Sequence, residues 1–156
     1  MRRKDREVTN IEEIYKVIDE CSCCRIGFYD EGEVYILPMN FGYSVCDNST
    51  ILYFHTAKEG RKIGLIEKSE NVGFEMDTGN KLNVAEVACS CSTSFKSIIG
   101  SGAISFVNDK TEKEFALQKI MSQSTKKDGW KFDDKMLESV CIFKILVNKM
   151  TCKVHK

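Results

Sequence analysis

The tetrapeptide Asp30-Glu31-Gly32-Glu33 constrains the fold of this chain more than any other feature. It separates two strand-like runs, 25–29 and 34–43, and a parallel crossover between neighbouring strands needs a dozen or more residues. The two runs must therefore pair as an antiparallel hairpin. A second short turn, Cys46-Asp47-Asn48-Ser49, returns the chain as a third strand over 50–56. Further strands read at 71–76, 95–107 and 140–149, with Gly100 and Gly102 marking a bulge or a close backbone approach. Thr9-Asn10-Ile11-Glu12 has the form of a capping box with Thr9 at the N-cap. Ile11, Ile14, Tyr15 and Ile18 then follow at helical spacing. Helical patterns recur at 61–68, at 110–121 behind Asn108-Asp109, and at 133–139, while 77–94 is the least decided stretch. This pattern predicts a mainly β chain, an antiparallel barrel of about six strands with peripheral helices, forming one domain over residues 1–156.

Charge and cysteine usage narrow the function classes. The 23 basic and 23 acidic residues cancel, which removes a general electrostatic case for nucleic acid. Arg2-Arg3-Lys4 is short and followed by Asp5 and Glu7, so it reads as a solvated arm. No apolar run reaches the length of a membrane-spanning helix, and no hydrophobic signal segment follows the N-terminus. A cytoplasmic protein with reduced thiols is expected. Among the eight cysteines, Cys21-Ser22-Cys23-Cys24 and Cys89-Ser90-Cys91 form close pairs, but a structural zinc site usually joins two knuckles with two-residue spacing. Core and surface thiols are the expectation, with zinc held by Cys21, Cys24 and the Cys89/Cys91 pair as the alternative.

The functional signal concentrates in 51–63, Ile-Leu-Tyr-Phe-His-Thr-Ala-Lys-Glu-Gly-Arg-Lys-Ile. An apolar strand enters a polar turn, and Arg61-Lys62 stands where a helix begins. The first N–H groups of a helix have no intrahelical partner and carry the positive end of its dipole, so they suit a phosphate. Arg61 offers a planar fork, Lys62 or Lys58 a point charge, and Thr56 a hydroxyl. Taken alone, the segment favours the plainer reading, that Lys58, Arg61 and Lys62 are the solvated face of an ordinary surface helix, because basic triplets are common.

Three further blocks accompany this stretch: Cys24-Arg25-Ile26-Gly27, Ile36-Leu37-Pro38-Met39-Asn40-Phe41-Gly42-Tyr43, and Phe95-Lys96-Ser97-Ile98-Ile99-Gly100-Ser101-Gly102. Together they resemble the flavin-binding split-barrel proteins of the pyridoxamine 5'-phosphate oxidase superfamily, and within it the nitroimidazole-resistance branch. The resemblance runs over residues 2–150 and includes the opening Met1-Arg2-Arg3-Lys4-Asp5-Arg6-Glu7. It implies FMN as cofactor, bound between the subunits of a homodimer. Arg61 and Lys62 match the family's phosphate pair and Thr56 the polar position beside it, while Lys58 is a weaker candidate whose turn position could point either way. Pro38, Met39, Asn40 and Phe41 match the strand bordering the flavin ring, and Ser97 the strand approaching from the other side.

His55 matches a histidine characteristic of the nitroimidazole-resistance branch; its imidazole would deliver a proton or hydrogen-bond the ring or ribityl chain, and the default for a lone histidine is a satisfied structural role. His155, near the end of the chain, is expected to be frayed and inert. The implied activity is an FMN-dependent oxidoreductase, nitroreductase-like, acting on a small molecule with electrons from a transiently bound nicotinamide nucleotide or another donor. Pyridoxamine phosphate oxidation itself is not expected, because Lys149–Lys156 carries none of the arginine- and histidine-rich substrate segment of those oxidases. The alternative from a different class is a carrier of FMN or haem without turnover.

Overall fold

Alternation along β2 (Cys24–Asp30) sets the inside of the molecule: Cys24, Ile26 and Phe28 are buried, while Arg25 and Tyr29 face out. The computed structural model describes residues 3–156. The arm at Arg2 and the opening match at Met1 lie outside the described residues. A two-residue β1 (Glu7–Val8) precedes α1 (Ile11–Glu20), and β2 leads into β3 (Glu33–Met39), β4 (Gly42–Cys46) and β5 (Ser49–Thr56). After α2 (Arg61–Lys68) come β6 (Asn71–Asn83), β7 (Ser92–Val107), α3 (Lys110–Thr125), α4 (Asp134–Ser139) and β8 (Cys141–His155).

Every pairing is antiparallel, and the order is β3-β2-β6-β7-β8-β5-β4, with β1 added beside β8. In a flat sheet the two ends of that path would lie roughly 29 Å apart, at about 4.8 Å per strand spacing. Yet Asn40 and Phe41 alone connect β3 to β4, and three Cα steps span at most about 11 Å. The sheet must curl until its edges meet at that corner. The two edge strands are not paired with each other, which leaves the barrel split.

Inside it, Phe54 stacks on Phe143 with centroids 5.0 Å apart, among Ile26, Met76, Ile98 and Ile145. A second cluster of Tyr53, Val107, Ala116, Leu117, Ile120, Leu137 and Ile142 fills the space between the outer face of β5–β8 and helices α3 and α4. Strands β5 and β8 are therefore held rigidly from both sides, which suits them to carry a site at their ends.

The two predicted turns are present, with Glu31 and Gly32 at φ 50° and 96° and Asp47 and Asn48 at 49° and 62°, the positive-φ pairs of tight hairpins. Both readings of the glycine pair hold. The register of β7 against β8 shifts between Ser101 and Gly102, and a Cβ on Gly102 would lie 2.2 Å from the Leu146 carbonyl oxygen.

Several expectations are corrected. The cap of α1 is Asn10, whose Oδ1 accepts from the N–H groups of Glu12 and Glu13 at 2.9 and 3.2 Å, not Thr9. The run 34–43 is two strands. Pro38 stays within β3, tolerated because β3 is an edge, and the break falls at Asn40-Phe41. Residues 77–94 extend β6 to Asn83 through a register shift between Thr78 and Lys81, then turn at Ala88–Ser90 into β7. Among the described residues the strands number eight, and His155 is paired opposite Phe95, its ring nitrogen 2.8 Å from the Thr93 carbonyl. Long-range pairing carries β8 beyond the apolar run that marked it.

Candidate functional site

The corner that closes the sheet also opens a cleft of about 570 Å³. One wall is the end of β3 with the corner residue, Pro38, Met39 and Asn40; the other is the end of β5, His55, Thr56 and Ala57. Lys62 of α2 and the α4–β8 junction, Ser139 and Val140, complete it. Two features of the chain bring these residues together. The Asn40-Phe41 link draws β3 towards β4 and β5, and the register of β5 on β8 sets Thr56 opposite Cys141.

Alternation aims His55 outward and Thr56 inward: Thr56 is only 5% exposed, and its hydroxyl has no hydrogen-bond partner among the described residues. A buried, unpaired hydroxyl is costly and marks a place where a ligand atom belongs. Lys62 is half-buried and makes no ion pair or hydrogen bond among the described residues, and no carboxylate lines the cleft. The α2 N-terminus adds to this. Helices α1, α3 and α4 are capped by Asn10, Asp109 and Asp133, whereas α2 begins at Gly60 (φ 117°) with no side-chain cap and no acid in its first turn. Its orphan N–H groups keep the helix's positive end unneutralised.

His55 is exposed at the cleft, but partial desolvation, and secondly the ammonium of Lys62, lower its pKa below the ordinary imidazole value. The ring is accordingly neutral near pH 7, with one nitrogen donating and the other accepting. An anion, a hydrogen-bonding edge and an apolar body can all be satisfied here, by Lys62 and Thr56, by His55 and Asn40, and by Pro38, Met39 and Val140.

The structure thus gathers Pro38, Met39, Asn40, His55, Thr56 and Lys62 into one cleft and leaves the remaining candidates elsewhere. Arg61 turns to the β2–β3 hairpin, its Nη2 donating to Asp30 at 3.1 Å and its guanidinium 4.5 Å over the Tyr35 ring. Lys58 lines a neighbouring pocket. Phe41 is wholly buried in the core. Ser97 lies across the sheet on β7, opposite Asp77 and Lys153. Sequence reasoning missed Ala57, Ser139 and Val140 on the cleft, and Asp30 and Tyr35 as the groups holding Arg61. No local pattern signals them, since their roles come from strand register.

The zinc alternative meets a different arrangement. Cys21 and Cys24 are buried in the core, where burial pushes the Cys21 thiol up to about 12 and the Cys24 thiol up as well. Cys89 and Cys91 are exposed on the β6–β7 connection. Among the described residues no group of three or more histidine, cysteine or acidic side chains is arranged to hold a metal ion.

The architecture is a split antiparallel barrel with a cleft at its open corner and an uncapped helix beside it. The family model described as pyridoxamine 5'-phosphate oxidase matches residues 10–154, and the chain belongs to that family. It is similar to a presumed 5-nitroimidazole antibiotic resistance protein from Bacteroides thetaiotaomicron, at 34% identity and a TM-score of 0.81, over 95% of this chain and 86% of that one. The fold also matches the flavocytochrome Anf3 from Azotobacter vinelandii at 16% identity and a TM-score of 0.79, over 100% of this chain and 72% of that one. A third match is an FAD- and haem-binding protein from Mycobacterium smegmatis, at 13% identity and a TM-score of 0.79, over 97% of this chain and 74% of that one. Among the curated proteins none matches. No helix among the described residues is long and apolar enough to cross a membrane, which says nothing of strands.

Proposed function

We propose that the chain is a flavoprotein, using FMN to reduce a small molecule, in the manner of a nitroreductase. The observation that carries this reading is that the buried Thr56 hydroxyl and the half-buried Lys62 ammonium, both without a partner among the described residues, line one cleft with an apolar wall and no carboxylate among its described lining residues. Those donors fit a phosphate, and Pro38, Met39 and Val140 fit the flat apolar body of a flavin. The family supports the cofactor, and the likeness to the Bacteroides protein supports a nitro compound as acceptor.

A bound flavin would supply the redox chemistry between an electron donor, a nicotinamide nucleotide or another, and the substrate. The residues of the chain position and protect. Lys62 and the α2 N–H groups would neutralise the phosphate, Thr56 would donate to it, and Arg61, on leaving Asp30, would add a charge-assisted contact. His55, held neutral, passes a proton at the cleft edge or orients the bound ring by its N–H. Loss of flavin is not expected in His55→Ala, only slower reduction of a nitro substrate; equal turnover in the two proteins would assign His55 to structure.

A homodimer belongs to this proposal. The outer face of β2 and β3 exposes Tyr29, Val34 and Ile36 at 75%, 70% and 61%, and Ile99 of β7 continues it at 60%. Pro38 ends the β3 row of that face and also lines the cleft, and Ser97 shares it further along β7. A second copy seated there would wall the cofactor, with Ser97 approaching from across the interface. A cytoplasmic location completes the reading.

The absorption spectrum of protein purified from cells tests the core of the proposal. Flavin bands, with FMN released on denaturation, are the expected result. A Soret band would make the chain a haem carrier, and a colourless protein that binds no added FMN would end the flavin reading. Turnover of a nitroaromatic with a reduced donor then separates enzyme from carrier.

A further inference from the structure

Of the six half-buried lysines among the described residues, four have a partner. Lys96 and Lys144 meet Glu20 and Glu112 at 2.6 Å, and Lys119 and Lys153 lie 5.2 Å over the rings of Phe115 and Phe95. Among the described residues, Lys62 and Lys113 alone have neither. Lys62 faces the cofactor cleft. Lys113, on α3, faces a separate pocket of about 240 Å³ that shares only Val140 with that cleft.

The second pocket has its own chemistry. Lys58, from the β5–α2 turn, supplies another ammonium with no ion pair among the described residues, and the half-buried Cys141 lines the same pocket; burial pushes its thiol up, while Lys113 and Lys58 pull it back in part. Ile63, Phe106 and Ile142 give it an apolar lining, Asn108 adds an amide, and no carboxylate lines it. Asp134 and Glu138 border the next groove, which Lys113 also touches, but Asp134 is taken by Lys110 at 2.7 Å. Two ammonium groups over an apolar wall, with no acid among the residues lining the pocket, favour an anion with an apolar body there, although Lys58 is exposed and Glu138 borders the adjoining groove. The volume lies below the roughly 300–1,000 Å³ of ordinary ligand sites, which limits the occupant to about one ring.

We infer that this pocket binds a small organic carboxylate, its anionic head between Lys58 and Lys113 and its apolar body against Ile63, Phe106 and Ile142. The site stands on its own geometry and does not depend on the flavin reading. It does give the chain a second anion seat beside the first: the turn and helix that carry Lys58 and Lys62 reach into both.

Cys141 is a built-in reporter. The full chain is alkylated with iodoacetamide and the extent at Cys141 is read by peptide mass spectrometry, with exposed Cys46 as internal reference. Benzoate at ten times its dissociation constant is expected to slow Cys141 alkylation about tenfold, by simple site occupancy. Benzamide, of the same shape without the charge, should give no protection. Lys113→Gln should abolish the benzoate effect, and Lys113→Arg should keep it, while FMN affinity stays unchanged in both. Equal protection by benzamide, protection that survives Lys113→Gln, or no protection at any benzoate concentration would overturn the site. Inorganic phosphate protecting as well as benzoate would overturn the organic class of ligand.

Discussion

Thr56→Val separates a ligand-binding hydroxyl from a structural one, because the two roles predict opposite signs. In the unliganded chain the Thr56 hydroxyl is buried without a partner among the described residues. An unsatisfied buried hydroxyl costs about 1–3 kcal/mol, and valine keeps the β-branched shape while deleting the polar atom. The unliganded variant should therefore be more stable by at least about 1 kcal/mol, which for a chain of this size raises Tm by about 2–4 °C. Flavin binding should move the other way. A hydrogen bond to a charged phosphate is worth about 1.5–3 kcal/mol, so FMN affinity should fall about ten- to a hundredfold. Thr56→Ser, which keeps the hydroxyl, should show neither effect in full. Thermal melts of the flavin-free protein and calorimetric FMN titrations supply both numbers. A variant that melts lower than the parent and binds FMN as well would refute the reasoning.

Four other outcomes follow from particular contacts. Gly102→Ala forces a Cβ to within 2.2 Å of the Leu146 carbonyl oxygen on the neighbouring strand, and should cost about 3 kcal/mol or more, read as a lowered urea midpoint. Asp30→Asn frees Arg61 from its 3.1 Å ion pair; FMN should bind more tightly and riboflavin, which lacks the phosphate, unchanged, whereas Arg61→Ala should weaken FMN alone. The folded-state pKa of His55 lies below its unfolded value of about 6.5, so the folded chain binds fewer protons in that window and stability falls as pH drops through it. His55→Gln should flatten that acid limb when urea midpoints are compared at neutral and mildly acidic pH. Ile36→Lys should shift the sedimentation coefficient to that of a monomer, and an unchanged value would remove the β2–β3 face from the dimer.

How far the residues announced the site differs from element to element. Cys46-Asp47-Asn48-Ser49 and Asp30-Glu31-Gly32-Glu33 carry their turn chemistry in adjacent side chains, and both turned where expected. Helix α2 begins at Arg61 and ends at Lys68 as its spacing implied. Elements stabilised from afar were less legible. β6 continues through 77–83 because β7 pairs with it, and β8 runs on to His155 because β7 holds its far end. Neither partner is visible in the local pattern.

The linear chain determined the antiparallel sheet, the α2 boundary and the presence of a basic segment beside a polar strand end, since each depends on residues within a few positions of one another. Only the tertiary structure decided where the charges of that segment go. Lys62 enters the corner cleft, Lys58 joins Lys113 over a second pocket, and Arg61 is drawn to Asp30 and Tyr35. The physical reason is that a side chain's partner is set by which distant strand the register brings alongside it. Here the Asn40-Phe41 corner and the Thr56–Cys141 pairing make that choice.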